Sequence, residues 1–128
     1  MILLLDTSTP TCKLTLVEGA ARHDFTWEAG RTLSTGLLGF IQERLGEVGS
    51  GWDALEGIVA YRGPGSFTGL RIGISVLNAL ANTNQLPIIG AMGEAWQMEG
   101  LARLGTGESD EIVLPEYGAD ANITTPRK

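Results

Sequence analysis

The hydrophobic periodicity of the chain changes once, near residue 30, and this change limits the folds that the chain can adopt. Up to Glu28, a short and mostly apolar run (Ile2–Asp6) is followed by alternation of apolar and polar residues, which is typical of β-strands. From Leu33 to Val48, apolar residues recur every three to four positions, as they do on amphipathic helices. The pattern therefore predicts a three-stranded antiparallel meander followed by alternating helices and strands.

The second half supplies the remaining elements. Leu33–Val48 is predicted to be a helix, Leu55–Tyr61 a buried strand and Pro87–Gly90 a short strand. A second helix follows a glycine-rich segment from Leu70, and a third is predicted over Ala91–Leu104. The order βββαβα(βα) indicates an α/β protein with a mixed β-sheet covered by helices. This is the topology of a single ribonuclease H-like or actin-like (ASKHA) lobe.

Length and composition fit one such domain. The chain has 128 residues, and domains most often contain about 100–150. We predict an actin-like domain over residues 1–105 and a tail over residues 106–128, with a short last strand at Ile112–Leu114.

Charge and composition exclude several functional classes. The formal net charge is −6, which argues against direct nucleic-acid binding, because phosphate neutralisation by Lys and Arg dominates such binding. The single cysteine cannot form an internal disulfide, which favours a reducing compartment. No apolar run approaches the roughly 18 residues that a membrane span needs, and Met1–Asp6 lacks the basic flank of a signal peptide. These features predict a cytoplasmic protein that contacts no membrane.

The most distinctive segment joins the predicted strand that ends at Tyr61 to the second helix. This glycine-rich turn and the arginine that follows it are Gly63, Pro64, Gly65, Ser66, Phe67, Thr68, Gly69 and Arg71. Backbone N–H groups at a helix N-terminus can bind anions, but the spacing matches neither the P-loop nor the dinucleotide-binding motif. The simpler interpretation is a tight turn that packs the helix onto the sheet.

Other polar residues form no recognisable catalytic or metal site. Asp6, Thr7 and Ser8 close the first strand, where phosphotransferases of this architecture hold metal and phosphate, although an Asp at a strand end is more often a turn former. Cys12 and the single histidine, His23, are predicted at opposite ends of a hairpin, which disfavours a nucleophile–base pair. Cys12 is expected to be buried and His23 to be solvated. Catalytic residues and metal ligands are therefore predicted to be absent.

Two segments together closely resemble the TsaB (YeaZ) family. They are Gly63–Gly73 (GPGSFTGLRIG) and Ile2–Ser8 (ILLLDTS). The resemblance covers about residues 1–100, the N-terminal domain of that family. TsaB proteins are actin-like pseudo-enzymes that bind the catalytic paralogue TsaD. With the ATPase TsaE, they support transfer of a threonylcarbamoyl group to adenosine 37 of tRNAs that read ANN codons.

The resemblance implies a scaffold that activates this complex and touches tRNA only through its partners. Family members usually carry a second actin-like lobe, and this chain passes from its third helix to a short tail, so nucleotide hydrolysis in an interlobe cleft is not expected. The family often has His-Ser-Glu where this chain has Leu33-Ser34-Thr35. Asp6, Thr7 and Ser8 would be a vestigial phosphate loop.

The family's partner surface is a bundle of its first two helices with those of TsaD or of a second TsaB. The resemblance therefore implies an interface through Leu33, Gly36, Leu37, Gly39, Phe40, Gly73, Leu77 and Leu80. We expect the helix glycines to let backbones approach across that interface. The expected partners are a TsaD-like subunit and a TsaE-like ATPase, with a homodimer as the alternative. No cofactor is expected in the isolated chain, although a nucleotide could lie at a partner interface. The enzymatic alternative is a minimal ATP-binding phosphotransferase.

Overall fold

The computed structural model describes residues 1–116 and contains one five-stranded sheet and three α-helices. The strands are β1 (Ile2–Asp6), β2 (Thr11–Glu18), β3 (Ala21–Glu28), β4 (Gly57–Tyr61) and β5 (Ile88–Ala91). The helices are α1 (Leu33–Glu47), α2 (Phe67–Asn84) and α3 (Trp96–Gly105). This order confirms the predicted α/β arrangement. No helix in the described part of the chain combines the length and apolarity needed to cross a membrane.

The sheet is mixed, with the strand order β3-β2-β1-β4-β5. Strands β1, β2 and β3 pair antiparallel, as hairpins require. Strands β1, β4 and β5 pair parallel, because a helix returns the chain to the same end of the sheet before the next strand. The central strand β1 is therefore antiparallel to one neighbour and parallel to the other.

Helices cover both faces of the sheet. Alternate residues of β1 and β4, such as Leu3 and Ile58, belong to one buried cluster with the apolar stripes of α1 and α2. The opposite face of β4 packs against α3, where Gly100 leaves room for the side chain of Val59. A sheet covered on both faces needs apolar residues at successive positions, which explains why Leu3, Leu4 and Leu5 are all buried.

An aromatic and cationic cluster fixes α1 against the outer hairpin. The rings of Trp27 and Phe40 stack with their centroids 5.1 Å apart. The guanidinium carbon of Arg44 lies 5.5 Å from the Phe40 ring centroid, and Arg44 pairs with Glu47 at 2.7 Å. Glu43 and Glu47 lie on the solvated face of α1, and Arg44 joins that face to the ring cluster.

Several boundaries differ from the sequence predictions. The third helix begins at Trp96 rather than at Ala91, because Ala91 is the last residue of β5. Ile112–Leu114 forms no strand. The backbone of Val113 and Leu114 is bonded to the side chains of Asn78 and Arg62 instead of to a neighbouring strand. His23 is half-buried rather than solvated, because it lies on the same face of β3 as Phe25 and Trp27. Cys12 is fully buried, as expected. Residues 117–128 of the predicted tail lie outside the described residues.

Two glycines of α1 provide a matched test of the packing against Trp27. A Cβ atom on Gly36 would lie 2.8 Å from Trp27 Cη2, whereas a Cβ atom on Gly39 would meet nothing within 4 Å. We expect Gly36→Leu to lower the free energy of unfolding by about 1–3 kcal/mol, since overpacking displaces the stacked indole. Gly39→Leu should raise it by up to about 1 kcal/mol, because leucine has the higher helix propensity. Urea denaturation of both variants measures the difference, and equal effects would contradict the described packing.

Candidate functional site

The glycine-rich turn packs directly on the loop between β1 and β2. The Ser66 N–H donates to the carbonyl oxygen of Ser8 at 2.9 Å. A Cβ atom on Gly65 would overlap Ser8, and one on Gly69 would overlap the carbonyl oxygen of Thr7. These glycines are therefore required by backbone-to-backbone contact within the chain, which agrees with the simpler interpretation of the motif.

The predicted vestigial phosphate loop is held by the same contacts. The Thr7 hydroxyl donates to the carbonyl oxygen of Gly69 at 2.7 Å, and the Thr7 side chain fills the space where Gly73 has no Cβ atom. The Ser8 N–H donates to Asp6 Oδ1 at 2.8 Å. The Thr7 hydroxyl and one carboxylate oxygen of Asp6 are thus bonded to the chain's own backbone.

The other end of the turn presents an exposed aromatic ring. The Phe67 side chain is 54% exposed, and the guanidinium carbon of Arg71 lies 5.1 Å from its ring centroid. The Tyr61 hydroxyl donates to the carbonyl oxygen of Pro64 at 2.9 Å, which ties the turn to the end of β4. Thr68 is exposed. Gly63 has a φ of +130°, a conformation that favours glycine.

A groove with a volume of about 770 Å³ lies between α1 and α2. Leu38 of α1, which is 53% exposed, lies on one side. Val76 and Ala79 of α2 lie on the other side. Trp52, which follows α1, also lines it. We call this the α1–α2 groove; its remaining lining residues are Gln42, Asp53, Ser75, Leu80, Thr83 and Asn84.

The structure places most of the predicted interface residues inside the chain. Leu33, Leu37 and Leu77 are buried in the core, and Phe40 is almost fully buried beside Trp27. The space beside two predicted contact glycines is filled by the same chain: Gly36 accommodates Trp27, and Gly73 accommodates Thr7. Contact of these two glycines with a partner backbone stays a prediction.

The other two predicted positions are Gly39, which is exposed with open space around it, and Leu80, which is almost fully buried but lines the α1–α2 groove. Leu38, Ser75 and Ala79 also line this groove. They were not predicted, because they lie outside the apolar stripes that the helices turn inward. A signal was present: Ser75, Ala79 and Thr83 recur every four residues, so that they form a stripe of small residues on one helix face.

The cysteine and the histidine stand apart, as the sequence predicts. In the register of the β2–β3 hairpin, Cys12 pairs with Trp27 and His23 pairs with Leu16. Burial, followed by the negative charge of Asp6, raises the pKa of the Cys12 thiol to about 12. No group of three or more His, Cys, Asp or Glu side chains that could hold a metal occurs within residues 1–116.

Comparisons with known proteins agree with this architecture. Residues 27–102 match the family model of TsaD, tRNA N6-adenosine threonylcarbamoyltransferase. The tRNA threonylcarbamoyladenosine biosynthesis protein TsaB of Haemophilus influenzae is 36% identical over 69% of this chain and 37% of its own length. The TsaB protein of Escherichia coli is 31% identical over 94% of this chain and 56% of its own length.

A solved structure shows the same fold. YeaZ from Pseudomonas aeruginosa superposes with a TM-score of 0.68 at 32% identity, covering 83% of this chain and 49% of its own. The chain therefore spans roughly a third to a little over half of the length of these relatives. The TsaD family model covers more than half of this chain, and both named relatives are TsaB proteins, whose YeaZ counterpart shares the fold. The chain thus belongs to the TsaB (YeaZ) family.

Proposed function

We propose that this chain acts in the biosynthesis of threonylcarbamoyladenosine in tRNA as a non-catalytic subunit that docks on a TsaD-like transferase and activates it. The relatives' names indicate the pathway. The single observation that carries the proposal is the exposed, mostly apolar α1–α2 groove. The reaction served would be transfer of the threonylcarbamoyl group to adenosine 37 of tRNAs that read ANN codons.

The non-catalytic role in this proposal is supported by the hydrogen bonds of Asp6 and Thr7 at the end of β1, where related phosphotransferases hold phosphate. Thr7 donates to Gly69, and Asp6 accepts from Ser8. A phosphate that accepted the Thr7 hydroxyl proton would break the bond to Gly69, and the glycine-rich turn lies against Ser8. An unmade buried hydrogen bond costs about 1–3 kcal/mol, so the closed arrangement favours a structural role.

The transferase is the expected occupant of the groove, because this chain itself resembles the transferase. Residues 27–102, which include α1 and α2, match the TsaD family model. A TsaD-like subunit would therefore present an equivalent helix pair, and like surfaces associate about a pseudo-twofold axis. Small residues let helix backbones approach closely, and Ser75 and Ala79 supply them here. Leu38 and Trp52 would be the apolar anchors, since buried aromatic anchors dominate interface energies.

The net charge of the chain supports a complex in which its partners, rather than the chain itself, contact tRNA. The net charge of −6 disfavours contact with tRNA and favours association with a basic partner. Asp53 lies at the groove, where it would meet cationic side chains of the transferase. A TsaE-like ATPase would supply nucleotide hydrolysis. We propose that any nucleotide near this chain binds at a partner interface rather than to the isolated chain.

A charge placed in the groove tests the docking surface. We expect Ala79→Arg to weaken binding to a TsaD-like transferase at least tenfold, a loss of about 1.4 kcal/mol, because a guanidinium would be buried among apolar groups. Ala102→Arg is the matched control, since Ala102 is an exposed alanine on α3, which covers the opposite face of the sheet. Isothermal titration calorimetry with the purified transferase measures both affinities.

The same purified proteins distinguish docking on the transferase from a homodimer and from a phosphotransferase. Equal binding by both variants would overturn the docking surface. Sedimentation of the chain alone would reveal a homodimer that uses the same groove. Mg²⁺-dependent binding or turnover of ATP by the isolated chain would favour the minimal phosphotransferase instead. Reconstituted threonylcarbamoyl transfer that does not require this chain would overturn the proposed activating role.

The thiol provides a separate test of the non-catalytic assignment. Because burial raises the pKa of Cys12 to about 12, we expect its alkylation by iodoacetamide to keep accelerating between pH 9 and pH 12 in the folded protein. In the unfolded chain the rate should level off near pH 9.0, the ordinary pKa of a solvated thiol, since only the thiolate reacts.

The raised pKa also has a consequence for stability. Above pH 9 the unfolded chain releases the Cys12 proton and the folded chain keeps it, so this group stabilises the fold less as pH rises towards 12. Cys12→Ala should remove that contribution to the pH dependence of unfolding. A folded-state alkylation rate that levels off near neutral pH would reveal an activated thiol and contradict the assignment.

A further inference from the structure

Strand β3 lies at one edge of the sheet, and within residues 1–116 only β2 pairs with it. It has eight residues, whereas a very short edge strand is one of the means by which proteins avoid unwanted pairing. An edge strand presents N–H and carbonyl groups to which a further strand can bond. The β3 edge is therefore a surface at which another chain can extend the sheet.

The hydrogen bonds of the β2–β3 hairpin show which residues of β3 direct their backbone groups towards this edge. The Ala29 N–H donates to the carbonyl oxygen of Pro10 at 3.1 Å, and the hairpin register continues from this pair without interruption. In an antiparallel ladder, hydrogen-bonded pairs alternate with non-bonded pairs, so the odd-numbered residues of β3 bond to β2. The even-numbered residues direct their N–H and carbonyl groups outward: Arg22, Asp24, Thr26 and Glu28.

The side chains of these four residues are exposed and carry charges of both signs. Arg22 pairs with Asp24 at 3.1 Å, and both side chains are roughly half exposed. Glu28 accepts from the hydroxyl of Thr11 at 2.9 Å. Exposed pairs of this kind contribute little to stability, so these charged groups can exchange partners at little cost when another strand arrives.

A second copy of this chain fits the edge in one register. Two copies related by a twofold axis would pair their β3 strands antiparallel. An axis at Phe25 places Arg22 opposite Glu28 of the second copy, and the symmetry repeats this pair. Asp24 then lies opposite Thr26. A shift by two residues places Asp24 opposite either Asp24 or Glu28, and like charges directly opposite each other are destabilising. The order of charges therefore favours a single register.

The other face of the same register brings aromatic rings together. His23, Phe25 and Trp27 share the face of β3 that packs towards α1, and all three are half-buried. With the axis at Phe25, the two Phe25 side chains lie opposite each other, and each His23 lies opposite Trp27 of the other copy. These positions are not hydrogen-bonded, so their side chains approach more closely, and aromatic pairs across strands stabilise a sheet.

We propose that the β3 edge is a self-association surface, at which a second copy of this chain adds its own β3 antiparallel and centred on Phe25. The sheet is then continuous across both copies. The occupant is a second copy because the charges and the rings match under one twofold axis. The proposal does not depend on docking at the α1–α2 groove, since no residue of β3 lines that groove.

Exchanging the charges of the Arg22–Glu28 pair tests the register. Arg22→Glu and Glu28→Arg each place like charges opposite one another in a homodimer. Each variant of the 128-residue chain should therefore dimerise at least tenfold more weakly than the unsubstituted chain. An equimolar mixture of the two should dimerise as tightly as the unsubstituted chain, because both cross-strand pairs then join opposite charges. Sedimentation equilibrium measures the dissociation constants.

A matched control makes the same change of charge elsewhere. Glu94 is exposed and follows β5, at the other edge of the sheet. Glu94→Arg should leave the dissociation constant unchanged. An equal loss of association in Glu94→Arg and Glu28→Arg would show an effect of net charge and overturn the proposed register.

Thr26→Pro tests strand pairing separately from charge. Proline lacks an N–H group, and at position 26 the missing group points away from β2, so the hairpin keeps its own hydrogen bonds. We expect this variant to retain the circular dichroism spectrum of the unsubstituted chain and to dimerise at least tenfold more weakly. A folded variant that dimerises as tightly as the unsubstituted chain would overturn the proposed pairing. If the variant does not fold, the charge exchange decides.

Three further results would overturn the proposal. One is an unsubstituted chain that stays monomeric up to about 1 mM. Another is a mixture of Arg22→Glu and Glu28→Arg in which association is not restored. The third is a dimer that Ala79→Arg weakens and the β3 variants leave unchanged, which would place the second copy in the α1–α2 groove.

Discussion

The structure depends on a close backbone contact between the glycine-rich turn and the loop that follows β1. Thr7 is the centre of this contact: its hydroxyl bonds to Gly69, and its side chain fills the space that Gly73 leaves. The contact sets the position of α2 on the sheet, and α1 then packs beside α2. The glycine contact thus places α2, whereas α1 is fixed by its packing on α2 and on the outer hairpin.

The same contact engages polar groups at the end of β1. The hydroxyl of Thr7 and one carboxylate oxygen of Asp6 are bonded to neighbouring backbone, which supports the proposal that this loop has a structural role. The α1–α2 groove, in contrast, is broad and mostly apolar.

Much of the architecture could be predicted from the residues. Alternation over β2 and β3 and the helical spacing after Leu33 correctly indicated the order of elements, and the segment Gly63–Gly73 correctly indicated the family. The start of the third helix could not be predicted, because Ala91 suits a helix as well as a strand and only pairing with Tyr61 decides it. The position of Val113 and Leu114 could not be predicted either, since their hydrogen-bond partners Asn78 and Arg62 are distant in sequence.

The sequence by itself determined which residues are apolar, how they repeat and where glycine is present, and these properties specify the elements and the fold class. The tertiary structure decided what each glycine is for. Gly36 and Gly73 suggested contact points for a partner, and within the chain they accommodate Trp27 and Thr7. The physical reason is that a missing side chain shows only that something approaches closely; the neighbour's identity depends on how distant segments pack together.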